Sequence, residues 1–141
     1  MRKLTQNSLV GALLATSLLT LVFTLSASAA APLKITSCYS AASRPKTIVL
    51  TCADANTALK GLAWSSFGGS TAQGKGTFVT NNCEPNCASG KNISYPVKLK
   101  ATGSVSCKHG LRVYGKLTLQ FTGKAPGPAV PRTWKLGCPV S

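Results

Sequence analysis

The stretch YPVKLKATGSVSCKHGLRVYGKLTLQF, Tyr95 to Phe121, decides the fold. One phase of its first half carries Tyr95, Val97, Leu99 and Ala101, then Val105 and Cys107, while Lys98 and Lys100 hold the other phase. After Lys108-His109-Gly110 the alternation resumes with Leu111, Val113, Gly115, Leu117, Leu119 and Phe121 against Arg112, Tyr114, Lys116, Thr118 and Gln120. Successive side chains of a strand point to opposite faces, so a sustained period of two predicts two strands with one buried face each. A three-residue connection ending in Gly suits a hairpin whose last loop residue is left-handed, a conformation glycine adopts without steric cost.

Working outward, the same pattern returns. Trp134, Leu136 and Cys138 alternate with Lys135 and Gly137, and Ile48, Leu50 and Cys52 alternate with Val49 and Thr51. Residues 58 to 67 fit two periods: Leu59, Leu62, Ala63, Ser66 and Phe67 make a helical stripe, whereas Leu62, Trp64 and Ser66 make a strand face. The β-prone Trp64 and Phe67, with Gly68-Gly69 close behind, favour a strand. Short apolar runs separated by Gly, Pro, Asn and Ser clusters predict an all-β protein, an antiparallel β-sandwich or open barrel of about seven strands, over residues 33 to 139.

The first 29 residues have another reading. Arg2 and Lys3 precede an apolar run from Leu9 to Phe23, and Ala27-Ser28-Ala29 offers a small-x-small cleavage site. This is the order of a secretory signal peptide, expected to be cut near Ala29, with residues 30–141 forming one domain. A lipid-anchored export product would need a cysteine directly after the run, but Cys38 lies well beyond it. The mature protein is therefore expected to be extracellular, with no membrane-spanning segment.

All six cysteines, Cys38, Cys52, Cys83, Cys87, Cys107 and Cys138, fall in the mature part. An even count in an exported chain reads as a disulfide framework. Zinc sites favour Cys-x2-Cys pairs with histidines, whereas here the closest spacing is Cys-x3-Cys and His109 is the one histidine, so no metal is expected. Six cysteines allow about fifteen pairings. Cys107 and Cys138 share the inward phase of their strands and are expected to meet in the core. Cys38 closes an apolar stretch and would bridge to Cys52 on a neighbouring strand, which leaves Cys83–Cys87 around a tight loop.

The segment from Cys52 onward reads Cys-Ala-Asp-Ala-Asn, then Leu59, Leu62 and Trp64-Ser65-Ser66-Phe67, then Ala72-x-Gly74-x-Gly76, then Asn82-Cys83-x-Pro85-x-Cys87-Ala88-x-Gly90, with Pro96-Val97 later. It resembles a group of small secreted actinobacterial proteins with no assigned activity. The resemblance covers most of the mature chain, and the Asn-Cys-x-Pro-x-Cys-Ala-x-Gly run is its most specific part. Ala55 stands where that group usually has Gly, and Phe67 where it usually has a second Trp. The resemblance implies export and disulfides and transfers no functional residue.

The inventory for catalysis is thin. A nucleophile needs a base and an orienting group within hydrogen-bond reach, and the candidates are His109, Asp54 and Glu84. His109 belongs to a predicted turn. Asp54, two residues before Asn56, fits a turn in which its carboxylate binds nearby backbone amides. Glu84 sits inside the Cys83–Cys87 loop, and two acids are too few for a calcium cage. Cys83-x3-Cys87 lacks the Cys-x2-Cys spacing of thioredoxin-like redox pairs. Asn92-Ile93-Ser94 matches a glycosylation sequon, which the resemblance to bacterial proteins implies is incidental. Gly74-x-Gly76 is a turn or strand signal and too little for a phosphate loop. No catalytic residue and no cofactor is expected, and an enzyme would require a pocket around His109 or Asp54.

Charge is the remaining signal. The chain carries 16 Lys and Arg against 2 acids, a net charge of +14, which falls to +12 when Arg2 and Lys3 leave with the leader. If the two central strands pair, Lys98, Lys100, Arg112, Tyr114 and Lys116 share one exposed face, with Lys135 joining from the last strand. Such a face suits anionic partners: cell-wall polymers, acidic glycans, lipid headgroups or extracellular nucleic acid. A merely solubilising surface usually mixes both signs. The alternative is a protein–protein module, such as an inhibitor of a secreted hydrolase. It would present Asn82 to Gly90, with Asn82, Glu84, Pro85 and Asn86 on a loop preorganised by Cys83–Cys87.

Overall fold

A computed structural model describes residues 30–140; the expected signal peptide, residues 1–29, lies outside the described residues. The chain is nearly all β. Its strands are β1 (Ile35–Ser37), β2 (Ser40–Ala42), β3 (Ile48–Val49), β4 (Thr57–Ser66), β5 (Thr71–Asn81), β6 (Asn92–Thr102), β7 (Val105–Ser106), β8 (Arg112–Val113), β9 (Lys116–Phe121) and β10 (Thr133–Lys135). Six of them form one curled antiparallel sheet, a half-barrel, in the order β10-β9-β6-β5-β4-β3. No described helix is long and apolar enough to cross a membrane.

The period of two puts the core where expected. Tyr95, Val97, Leu99 and Ala101 of β6 and Leu117 and Leu119 of β9 are buried. Leu99 faces Leu119 and Ala101 faces Leu117 across the ladder. Ile48, Leu59, Leu62 and Phe78 fill the same core from β3, β4 and β5, together with Leu33 and Ile35. Phe78, Tyr95 and Phe121 meet edge-on or tilted with ring centroids 5.4 to 6.4 Å apart, a geometry aromatic quadrupoles favour.

The β6–β9 hairpin is longer than its ladder in the main sheet. Thr102↔Lys116 and Val105↔Val113 keep one register centred on His109, but between them the pair bends away at Gly103 (φ 72) and Gly115, so β7 and β8 form a separate two-stranded sheet. That break, with the short β1–β2 hairpin, divides the expected seven or so strands into ten shorter ones among the described residues. The tip is the predicted three-residue loop, with both His109 (φ 56) and Gly110 (φ 72) left-handed. Lys34 joins the two small hairpins into a cover over the core: its amide donates to the Arg112 carbonyl and its carbonyl accepts from the Tyr114 amide, both at 3.0 Å.

Residues 58 to 66 are strand, with Phe67 just past its end, and carry two irregularities, between Lys60 and Ala63 and between Trp64 and Ser66. The first inserts Gly61 (φ 61), so Leu59 and Leu62, three apart, both point inward. An extra residue in one strand is what a β-bulge adds, and it explains why the segment mimics a helical stripe.

The disulfides are Cys38–Cys52, Cys83–Cys87 and Cys107–Cys138. The last does not lie in the core as expected. Cys138 is exposed and Cys107 half-buried: Cys107 lies beyond the bend that carries the hairpin tip off the main sheet, and Cys138 lies past the end of β10. Three disulfides fit an oxidising compartment.

Candidate functional site

The outward face of the half-barrel is built from the polar phases of its strands. One row across the sheet reads Ala63, Lys75, Lys98, Gln120. The next outward row holds Gln73, Lys100, Thr118 and Thr133, and the one after it Thr71, Thr102, Lys116 and Lys135. In the opposite direction lie Lys60, Thr77 and Pro96. Lys60, Lys75, Lys98, Lys100, Lys116 and Lys135 are all exposed. A shallow trough of about 700 Å³ runs over this face between Trp64 and Gln120.

Glycines let β4 close onto β5 beneath the trough. A Cβ on Gly74 would lie 2.8 Å from the Ala63 carbonyl oxygen and 3.1 Å from Trp64 Cε3; one on Gly76 would lie 2.6 Å from Leu62 Cδ2 and 2.9 Å from the Lys60 oxygen. The bulged β4 therefore presses on β5 where only glycine fits. Trp64, at the rim, is committed to structure: its Nε1 donates to the Pro45 carbonyl at 2.8 Å, and its ring meets Phe67 edge-on at 4.9 Å.

Neither acid shares the face. Asp54 occupies the turn between β3 and β4, where Oδ1 accepts the Asn56 amide at 3.1 Å and Oδ2 accepts Asn56 Nδ2 at 2.9 Å. The Asn56 amide, and after it the Thr51 hydroxyl, hold the Asp54 carboxyl below its usual range. Glu84 lies in the loop from β5 to β6. Cross-strand lysines thus meet without a counter-charge: Lys75 faces Lys98 and Lys116 faces Lys135. Like charges directly opposite destabilise a sheet.

Lys98, Lys100 and Lys116 come together on this face. Arg112 does not: it lies on the small β7–β8 sheet, half-buried, and its guanidinium donates to the Ala31 carbonyl at 3.3 Å and to Ser104 Oγ at 3.1 Å. Tyr114, expected in the open, is fully buried. It sits at the bend of the hairpin, where Val113 and Tyr114 are both covered. Its hydroxyl donates to the Gly69 carbonyl at 2.9 Å and accepts the Gly68 amide at 3.0 Å. Sequence reasoning missed Lys60 and Lys75. Gly74 and Gly76 occupy inward positions between Ala72 and Phe78, so the period of two in β5 carries no apolar mark there; treating glycine as a possible inward residue would have exposed Lys75. The bulge at Gly61 hid Lys60.

The Cys83–Cys87 loop is tied down from within. Asn81 Nδ2 donates to the Cys87 carbonyl at 3.0 Å, and Asn81 Oδ1 accepts the Cys83 amide at 2.8 Å. Asn82 Oδ1 accepts the Glu84 amide at 3.3 Å and the Lys91 amide at 2.8 Å, and Asn86 Oδ1 accepts the Ser89 amide at 3.0 Å. Asn82 is thus half-buried and structural, whereas Glu84, Pro85 and Asn86 are exposed.

The catalytic candidates stay apart. His109 projects beyond the Thr102 end of β6, whereas Glu84 and the Asp54 turn lie beyond its Asn92 end, where the Asn81 amide donates to the Asn56 carbonyl at 3.0 Å. The intervening strand is about 30 Å long. The second concavity, about 140 Å³, opens between Thr36, Leu50, Trp134 and Val140, not at His109 or Asp54. No cluster of three metal-ligating side chains occurs among the described residues. Comparisons with protein families, with curated proteins and with solved structures give no match for this chain.

Proposed function

We propose that this protein is a secreted, non-enzymatic module that binds anionic extracellular polymers through the lysine face of its half-barrel. One observation carries the reading: six exposed lysines share a sheet face, two pairs of them directly opposed, with both carboxylates of the described residues held in loops elsewhere. A surface evolved only to stay soluble would interleave both signs and relieve those pairs. A polyanion relieves them instead, releasing counterions as it binds. The purified protein is expected to bind anionic liposomes, isolated cell walls or DNA at low salt and to release them as salt rises. Absence of binding at low salt, or binding indifferent to salt, would end the proposal.

A second reading rests on the Cys83–Cys87 loop, whose disulfide and asparagine bonds fix Glu84 and Pro85 at an exposed tip. A loop rigid before binding loses little entropy on docking, as an inhibitor of a secreted hydrolase requires. Inhibition that survives neutralising the lysines but is lost in Cys83→Ser/Cys87→Ser would select this reading; the reverse pattern would discard it.

A further inference from the structure

The six lysines follow a line. Lys60 on β4 lies one outward row from Lys75 on β5; Lys75 faces Lys98; Lys100 is the next outward position of β6; Lys116 on β9 is one outward row further and faces Lys135 on β10. No step turns back: each moves toward β10 or, from Lys98 to Lys100, along β6 to the next row. With strands about 4.8 Å apart and about 3.4 Å per residue, the line runs obliquely for about 28 Å along the sheet surface, with a cation about every 6 Å. Both flanks are uncharged: Thr71 and Gln73 on one side, Pro96 and Gln120 on the other.

We propose that this line is the track of a single linear phosphodiester polymer with hydroxylated linkers, a polyol-phosphate chain lying oblique to the strands. The inference rests on the lysine-face reading and narrows it to one ligand chemistry. A line, unlike a patch, matches a thread of charge and leaves most of a flat membrane surface uncontacted. All six cations are lysines, mobile point charges that can follow a flexible chain without the fixed fork an arginine presents. Gln73, Thr118 and Gln120 beside the track supply donors and acceptors for linker hydroxyls. The outward rows hold no aromatic side chain, and Trp64 at the rim is already bonded to Pro45, so the stacking platform that single-stranded nucleic acid uses is missing. One charge per short linker matches the spacing, whereas a glycan charged on alternate sugars would leave cations unpaired.

The test uses synthetic poly(glycerol phosphate) oligomers shorter than, equal to and longer than the track, titrated across a salt series. Affinity should climb with length until the oligomer spans the track and then flatten, with log K falling against log salt at a slope of about −4. Lys75→Gln/Lys98→Gln/Lys100→Gln should weaken binding about 100-fold and bring the slope to about −2. Lys91→Gln/Lys108→Gln/Lys124→Gln makes the same charge change on exposed residues off the track and should leave the affinity nearly unchanged. Equal losses from the two triple variants would overturn the track while polyanion binding stood. So would tighter binding of a carboxylated glycan, or of oligothymidylate over an abasic deoxyribose-phosphate chain of equal length. Failure of every polyanion at low salt would remove the lysine-face reading as well.

Discussion

The hydroxyl of Tyr114 ties the bend of the long hairpin to the loop after β4 through the Gly68 amide and the Gly69 carbonyl. Tyr114→Phe keeps the ring and its edge-on contact with Phe67 at 5.8 Å, but strands both backbone groups. Leaving such groups unpaired costs about 1–3 kcal/mol, which urea unfolding should detect as a lower midpoint with unchanged slope. An unchanged midpoint would contradict the clamp. Asp54 gives a second test. Its carboxyl is held below the ordinary value of 3.8, chiefly by the Asn56 amide. A lowered folded-state pKa stabilises the fold above the unfolded carboxyl's pKa, and that support is lost as the pH falls through the folded value. An NMR titration of Asp54 should therefore show a midpoint below 3.8, and Asp54→Asn should flatten the acid limb of stability in that range. Asp54's turn was legible because Asp-x-Asn signals a purely local bond. Tyr114 was not, because alternation says which side a side chain leaves the strand and nothing about Gly68 and Gly69, which arrive from 46 and 45 residues earlier in the chain.

Alternation located β6 and β9, since Tyr95 to Ala101 and Leu117 to Phe121 each repeat without interruption, and the three-residue Lys108–Gly110 connection set their register. It failed in β4 and the middle of β5 for one shared reason. The bulge at Gly61 needs glycines opposite it, and Gly74 and Gly76 erase the apolar mark that would have revealed the strand's phase. The lysine face was therefore visible where it runs over β6, β9 and β10, with Lys98, Lys100, Lys116 and Lys135, while Lys60 and Lys75 were missed, although β4 itself was read as a strand. Its energetics lead to a prediction that separates stability from binding. Lys98 faces Lys75 on one side and neutral Gln120 on the other. Lys98→Glu turns a repulsive cross-strand pair into an attractive one, a change worth about 0.2–1 kcal/mol in favour of the sheet. The variant should melt higher than the parent at low salt, lose that advantage as screening grows, and bind polyanions more weakly. A variant that melts lower would show that the opposed lysines do not strain the sheet, and one that binds equally well would show that Lys98 does not serve the ligand.

The molecule as a whole is a half-barrel with a thin cover, and two of its disulfides hold the cover on. Cys38–Cys52 fastens the β1–β2 hairpin to the turn after β3, and Cys107–Cys138 fastens the β7–β8 hairpin to the chain after β10. The cover also rests on hydrogen bonds, from Thr36 Oγ1 to the Gly137 carbonyl at 2.6 Å and from the Val140 amide to the Cys38 carbonyl at 3.1 Å. Cys83–Cys87 closes a single loop already held by Asn81 and Asn82. The pairings were readable from strand phase, strand neighbours and elimination, but the placement of Cys107–Cys138 at the surface was not, because it depends on a bend marked only by Gly103 and Gly115. The sequence separations are 31 for Cys107–Cys138, 14 for Cys38–Cys52 and 4 for Cys83–Cys87. Chain entropy alone ranks their contributions at about 4, 3 and 2 kcal/mol. The architecture sharpens the contrast, since losing either long bridge also frees a hairpin whose Ile35 or Val113 side chain seals the core. Pairwise Cys→Ala variants should therefore fall into two groups. Cys83→Ala/Cys87→Ala keeps a cooperative melt and loses rigidity only at the loop, whereas each of the other two loses more stability and amide protection across β1, β2, β7 and β8. Hydrogen exchange would read that difference directly, and equal protection of the cover in all three variants would mean that the core, and not the two long bridges, keeps the half-barrel closed.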